Sequence, residues 1–114
     1  MQAQIEKLIQ DIKNDYVRFM SNVGDKQDIR QDMIDAFKDN ITYTEGKKYI
    51  KVLKKIGSQT MVWGFVVNVD DDKKFRKGDL LMAAGFNAPA RNKPRGNILD
   101  GGYTIRWTGP EYLK

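Results

Sequence analysis

A chain of 114 residues, 40% hydrophobic and 11% aromatic, is long enough to bury a core and too apolar to stay disordered. It contains neither cysteine nor histidine, which excludes disulfides and thiolate chemistry and removes the usual general base and the commonest transition-metal ligand. The net charge of +5 averages two unlike parts: residues 1–45 hold six Lys/Arg against nine Asp/Glu, a balance of −3, and residues 46–114 hold fourteen against six, a balance of +8. Such a split points to an anionic partner for the basic part, or to an acidic helical layer docked on it.

Residues 2–21 carry Ile5, Leu8, Ile9, Ile12, Tyr16, Phe19 and Met20 at steps of three and four, the spacing of an amphipathic helix. Its polar face mixes Glu6, Asp11 and Asp15 with Lys7, Lys13 and Arg18, unlike the lysine-rich face of a membrane-surface helix. The N-terminus lacks the unbroken apolar segment of a signal peptide, and no apolar run approaches the roughly 18 residues that span a bilayer. A soluble, intracellular protein is therefore expected. Gly24 supplies a helix stop, and Asp25 a cap for a second helix carrying Ile29, Met33, Ala36, Phe37 and Ile41 on one face. Asp32, Asp35 and Asp39 line its outer side.

From Thr42 the period changes to two. Lys47 to Ile56 reads as a strand with Ile50, Val52 and Ile56 on one side and Tyr49, Leu53 and the lysines on the other. Gly57-Ser58 suits a hairpin turn. Thr60 to Val69 follows, with Met61, Trp63, Phe65, Val67 and Val69 expected on one face and Val62 and Val66 on the other. Apolar residues on both faces imply a central strand, and Gly64 within it a bulge or a close packing partner. Asp70, Asp71 and Asp72 place three carboxylates in a row, a Mg²⁺ or Ca²⁺ ligand type. Adjacent residues in an extended chain point apart and no calcium-loop spacing follows, so a solvated turn is expected and no metal.

Residues 75–102 hold two of the three prolines and five of the ten glycines. Leu80–Ala84 reads as a short strand or one turn of helix capped by Asp79, and Phe86 to Asn97 as a loop without periodicity. Gly101-Gly102 turns into a last strand, Tyr103 to Thr108, after which Tyr112 and Leu113 fold back onto the domain. The expected architecture is one domain over 1–114: a helical pair in 1–41, then a β-rich part in 42–114 with its irregular loop at 75–102. In layers this is an α+β fold, two N-terminal helices packed on a three- to four-stranded, mostly antiparallel sheet.

Enzymatic chemistry finds little purchase. Ser21 and Ser58 fall at a helix end and a turn, no phosphate-binding GxxxxGK[ST] loop occurs, and Asp79, Asp100 and Glu111 have no spacing that favours glycoside cleavage over capping. Anion binding is better supported. Arg91, Lys93 and Arg95 alternate on a proline-stiffened loop, Gly96 permits close backbone approach, and the arginine fork suits bidentate phosphate contact. Lys51 and Lys55 share a strand face with Tyr49, and Arg106 adds a cation on the last strand. Tyr103, Trp107, Trp63 and Phe86 are stacking surfaces for unpaired bases unless the core claims them. Against this, lysines protect edge strands, and an arginine in a loop also braces carbonyls or Asp79 and Asp100. Arg95 reads as a brace ahead of a ligand contact, with Asp79, Gly96 and Pro89 shaping the loop; Arg91 reads either way.

The series Phe65-Val66, Gly78-Asp79-Leu80, Ala83-Ala84, Pro89-Ala90-Arg91, Arg95-Gly96-Asn97-Ile98 and Gly109-Pro110-Glu111-Tyr112-Leu113 resembles a pattern in small uncharacterised tailed-bacteriophage proteins. It covers the C-terminal half and omits the expected helices. Gly85-Phe86-Asn87 departs from the pattern, which is more polar there and contains a Trp. The resemblance implies a phage source and the cytoplasm of an infected bacterium. With it, the sequence is read as a small non-enzymatic accessory protein without cofactor that binds a nucleic acid through its basic surface. The alternative is a phage protein that binds and modulates a host protein with an acidic surface.

Overall fold

Apolar side chains at helical spacing wind residues Gln2–Met20 into α1, which buries Ile5, Leu8, Ile9, Ile12, Tyr16 and Met20 along one stripe. The computed structural model describes residues 2–20, 35, 37, 39–56, 58–91, 94–101 and 103–110. The stripe lies on an antiparallel sheet of β1 (Ile41–Glu45), β2 (Tyr49–Ile56), β3 (Gln59–Val67) and β4 (Leu80–Leu81), hydrogen-bonded in that order. Two short hairpins complete the β part: β5 (Ala83–Gly85) with β6 (Ala88–Pro89), and β7 (Ile105–Arg106) with β8 (Gly109–Pro110).

The fold is α+β, but the expected pair of helices is corrected to one helix among the described residues. Residues 25–34, 36 and 38 of the expected second helix, and 21–24 before it, lie outside the described residues; Asp35, Phe37 and Asp39 have helical backbone. Ile41, drawn as the last apolar residue of that helix, instead opens β1 and pairs with Lys54. The strand takes it because Ile41 and Tyr43, at a spacing of two, both reach the core under α1. Phe37 reaches the same core and stacks on Tyr16 with ring centroids 4.0 Å apart.

The sheet has a core on each face. Under α1 lie Ile41, Ile50, Val52, Trp63, Val66, Leu80 and Ile98; on the other side a smaller group of Phe65, Val67, Phe75 and Leu81 packs with Tyr49 and Val62. The expected assignment of β3 to one unbroken alternation is therefore corrected. The register slips between Val52 and Leu53, which pair with Gly64 and Val62 and leave Trp63 as the extra residue. That slip sends Trp63 to the helix face and Phe65 and Val67 to the opposite one. Gly64 is where it happens: a Cβ there would sit 3.0 Å from the Leu81 carbonyl and 3.1 Å from the Pro110 ring.

Of the two alternatives for Leu80–Ala84 the strand holds at Leu80–Leu81, which pairs with Phe65 and Val66. Tyr103–Thr108 does not form a strand of the main sheet; only Ile105 and Arg106 are extended, and they close a tight hairpin with Gly109 and Pro110 against α1. Helix carboxylates hold this segment: Tyr103 Oη donates to Asp11 at 3.2 Å and the Trp107 amide to Asp15 at 2.8 Å. Gly57, half of the expected hairpin turn, and Gly102 lie outside the described residues.

Candidate anion-binding face

Alternation along β2 points Tyr49, Lys51, Leu53 and Lys55 away from α1, while Ile50, Val52 and Lys54 are buried beneath it. The face away from the helix is thus the cationic one. Across it lie Thr42 and Thr44 of β1, both exposed and paired with Leu53 and Lys51. One end is roofed by the segment after β3 and by the β5–β6 hairpin; the other, around Lys55 and Thr60, is open.

Arg91 and Lys51 come to this same face, but not as two bare cations. Arg91 gives both terminal nitrogens to Asp72, at 3.0 and 2.9 Å, and also donates to the Tyr49 hydroxyl. Its guanidinium carbon lies 4.9 Å from the centre of the Phe75 ring. The Arg91 carbonyl in turn accepts from Lys74 Nζ. Asp72, expected as part of a solvated turn, is the hub of this brace: its side chain is 1% exposed and also accepts from the amides of Lys74 and Phe75, with Lys48 Nζ at 3.6 Å. The Arg91 hydrogen bonds, and after them the Lys74 amide, hold the Asp72 carboxyl well below the usual carboxylate range. The guanidinium of Arg91 is pushed up in return.

Lys51 Nζ donates to Asn87 Oδ1 at 2.6 Å and stands 4.4 Å from the centre of the Phe86 ring, so it latches the turn of the β5–β6 hairpin. Lys55 is exposed. Arg106 does not join this face: it sits on β7 beside α1, in a cleft with Asp15, Arg18 and Phe19. Lys93 lies outside the described residues. At the roofed end an open cleft of about 460 Å³ is lined by Lys47, Lys48, Lys73 and Arg91 against Asp71 and Asp72.

The structural group around the irregular loop is built as follows. Asp79, buried, accepts from the Arg76 amide at 2.8 Å and from Asn97 Nδ2 at 2.9 Å. Asn97 passes the contact on, giving Nδ2 to the Lys77 carbonyl and taking the amides of Leu99 and Asp100 on Oδ1. Gly96, at φ +136°, brings the chain so near Tyr103 that a Cβ would lie 2.5 Å from that residue's own. Pro89 pairs with Ala83 in the hairpin, and Arg95 is 1% exposed with its amide bonded to Leu80. Asp100 pairs with Arg76 at the surface. Asp79, Asp100 and Arg91 therefore do not converge on one pocket.

Sequence reasoning missed three residues here. Asp72 had a local signal, since an aspartate whose carboxylate takes the amides two and three residues on makes an Asx turn. Asn97 had the same local signal, taking the amides of Leu99 and Asp100, although its bonds to Asp79 and the Lys77 carbonyl are distant in sequence. For Lys54, alternation gives the side it shares with Ile50 and Val52, but its partners are distant. Lys54 is buried on the helix face, donating to the carbonyls of Trp107 and Thr108, both at 3.3 Å, with burial pushing its pKa down. No metal-ligating cluster occurs among the described residues, nor any helix long and apolar enough to cross a membrane.

Comparison with family models, curated proteins and solved structures finds no match to this chain.

Proposed function

We propose that this chain is a small non-enzymatic binding module that takes a nucleic acid on the sheet face turned away from α1, through phosphates rather than base edges. One observation carries the reading: Lys51 and Lys55 leave β2 on that face, beside the cleft where Lys47, Lys48, Lys73 and Arg91 outnumber Asp71 and Asp72, and of those two carboxylates Asp72 is already engaged by Arg91. α1, on the far side, carries three acids and three bases, so this helix by itself is not an acidic layer. The resemblance to tailed-phage proteins supports an accessory role in the cytoplasm of an infected bacterium.

The test is binding of DNA and RNA as a function of salt. With about four phosphates engaged, affinity falls with a log–log slope on the order of −3 to −4. A flat response, or no complex at about 50 mM salt, overturns the reading. A second reading, modulation of a host protein, is favoured by one observation: Asp72 already occupies the fork of Arg91, which leaves that guanidinium less free for phosphate. A lysate partner retained after nuclease treatment supports this second reading.

A further inference from the structure

The sequence offers four rings as stacking surfaces, and the fold disposes of three. Trp63 is 1% exposed and gives its indole N–H to the Arg106 carbonyl. Tyr103 and Trp107 are turned into α1, tied to Asp11 and Asp15. Phe86 remains. It sits at the turn between β5 and β6, 53% exposed, outside both hydrophobic cores. It also stands on the cationic face, because Lys51 of that face reaches it.

We propose that the partner is a single-stranded nucleic acid and that Phe86 stacks one of its bases. The inference rests on the nucleic-acid reading above and narrows it. A ring held at the tip of a hairpin needs a base whose π-face is open, which a single strand presents and the interior of a duplex does not. Lys51 occupies a place near the ring that serves the strand's phosphate: its ammonium is 4.4 Å from the ring centre, and its present partner is the neutral Asn87 amide, which a phosphate oxygen outcompetes as acceptor. Next along the strand, half-buried Leu53 pairs with Val62 and exposed Lys55 with Thr60. Apolar patch and cation thus follow the ring in the order that base and phosphate follow in an extended strand.

The experiment measures binding of labelled single-stranded DNA and RNA oligomers of about 12 nucleotides, and of a duplex of equal length, by fluorescence anisotropy. The expected result is tighter binding of a single strand than of the duplex. Phe86→Ala weakens single-strand binding roughly 5- to 100-fold with an unchanged salt slope, and Phe86→Tyr restores it. Lys55→Glu lowers the salt slope instead. Because Phe86 is outside both cores, the Ala variant keeps the wild-type melting temperature, and a loss of binding is not a loss of fold. Undiminished single-strand binding by Phe86→Ala, or equal affinity for the duplex, overturns the stacking proposal while the nucleic-acid reading stands. Absence of any complex with either form overturns both.

Discussion

The two faces of the sheet are held by different physics. The face under α1 is closed by apolar area: six stripe residues of the helix meet Ile50, Val52, Trp63, Val66 and Leu80, and Trp107 packs edge-on against Tyr16 and Phe37. The opposite face has four buried apolar residues, Phe65, Val67, Phe75 and Leu81, and a charged brace of Arg91, Asp72 and Tyr49 beside them. Burial of apolar area neither titrates nor is screened as charge is, whereas an ion pair both titrates and is screened. The lesson is that the face which exposes cations is also the one whose order depends on a carboxylate remaining ionised.

That contrast can be broken at its strongest point first. Trp63→Ala removes the largest fully buried side chain among the described residues, and with it the indole hydrogen bond to the Arg106 carbonyl. A loss of about 3–5 kcal/mol is expected from urea unfolding, the range for an aromatic truncated to alanine in a core.

The brace is next. Asp72 has a folded-state pKa depressed by Arg91, so its contribution is complete above the unfolded value of about 4 and is lost as pH falls toward the folded one. The urea midpoint of the wild type should therefore decline from about pH 5 downward. Asp72→Asn keeps the shape but not the charge: it is expected to lower the midpoint at neutral pH and to flatten the acid decline. An unchanged acid profile in the variant would show that Asp72 does not carry it.

The smallest effect lies on the helix face and at the opposite end of the pH scale. Burial, then the Asp11 carboxylate, pushes Tyr103 up to about 12. A raised folded pKa means that the contribution of the neutral phenol is intact below the unfolded value of about 10 and is lost as pH rises from there through about 12. Tyr103→Phe should shift the neutral-pH melting temperature little and remove part of the alkaline decline.

Charge and periodicity at short range were legible in the sequence. The stripe Ile5, Leu8, Ile9, Ile12, Tyr16 announces α1 because helix geometry itself sets that spacing, and Lys51, Tyr49 and Lys55 share a face because a strand alternates. Gly64 was also informative, since a glycine inside a strand signals a bulge or a close neighbour, and here both occur. The second helix was not readable in the same way: caps and spacing drew it through Ile41, and pairing with β2 claimed that residue for a strand.

What the sequence by itself determined is therefore the set of local periods, the basic character of the second half and the chemistries missing from a chain without cysteine or histidine. What only the tertiary structure decided is which side each residue serves. One extra residue at Trp63 exchanges the two faces of β3, because a slip of one reverses every side chain beyond it. Asp72 becomes a buried hub only when Arg91, 19 positions away, is folded onto it. Of four aromatic rings only Phe86 stands free of the cores on the cationic face, because burial follows the neighbours a side chain acquires and not its own type.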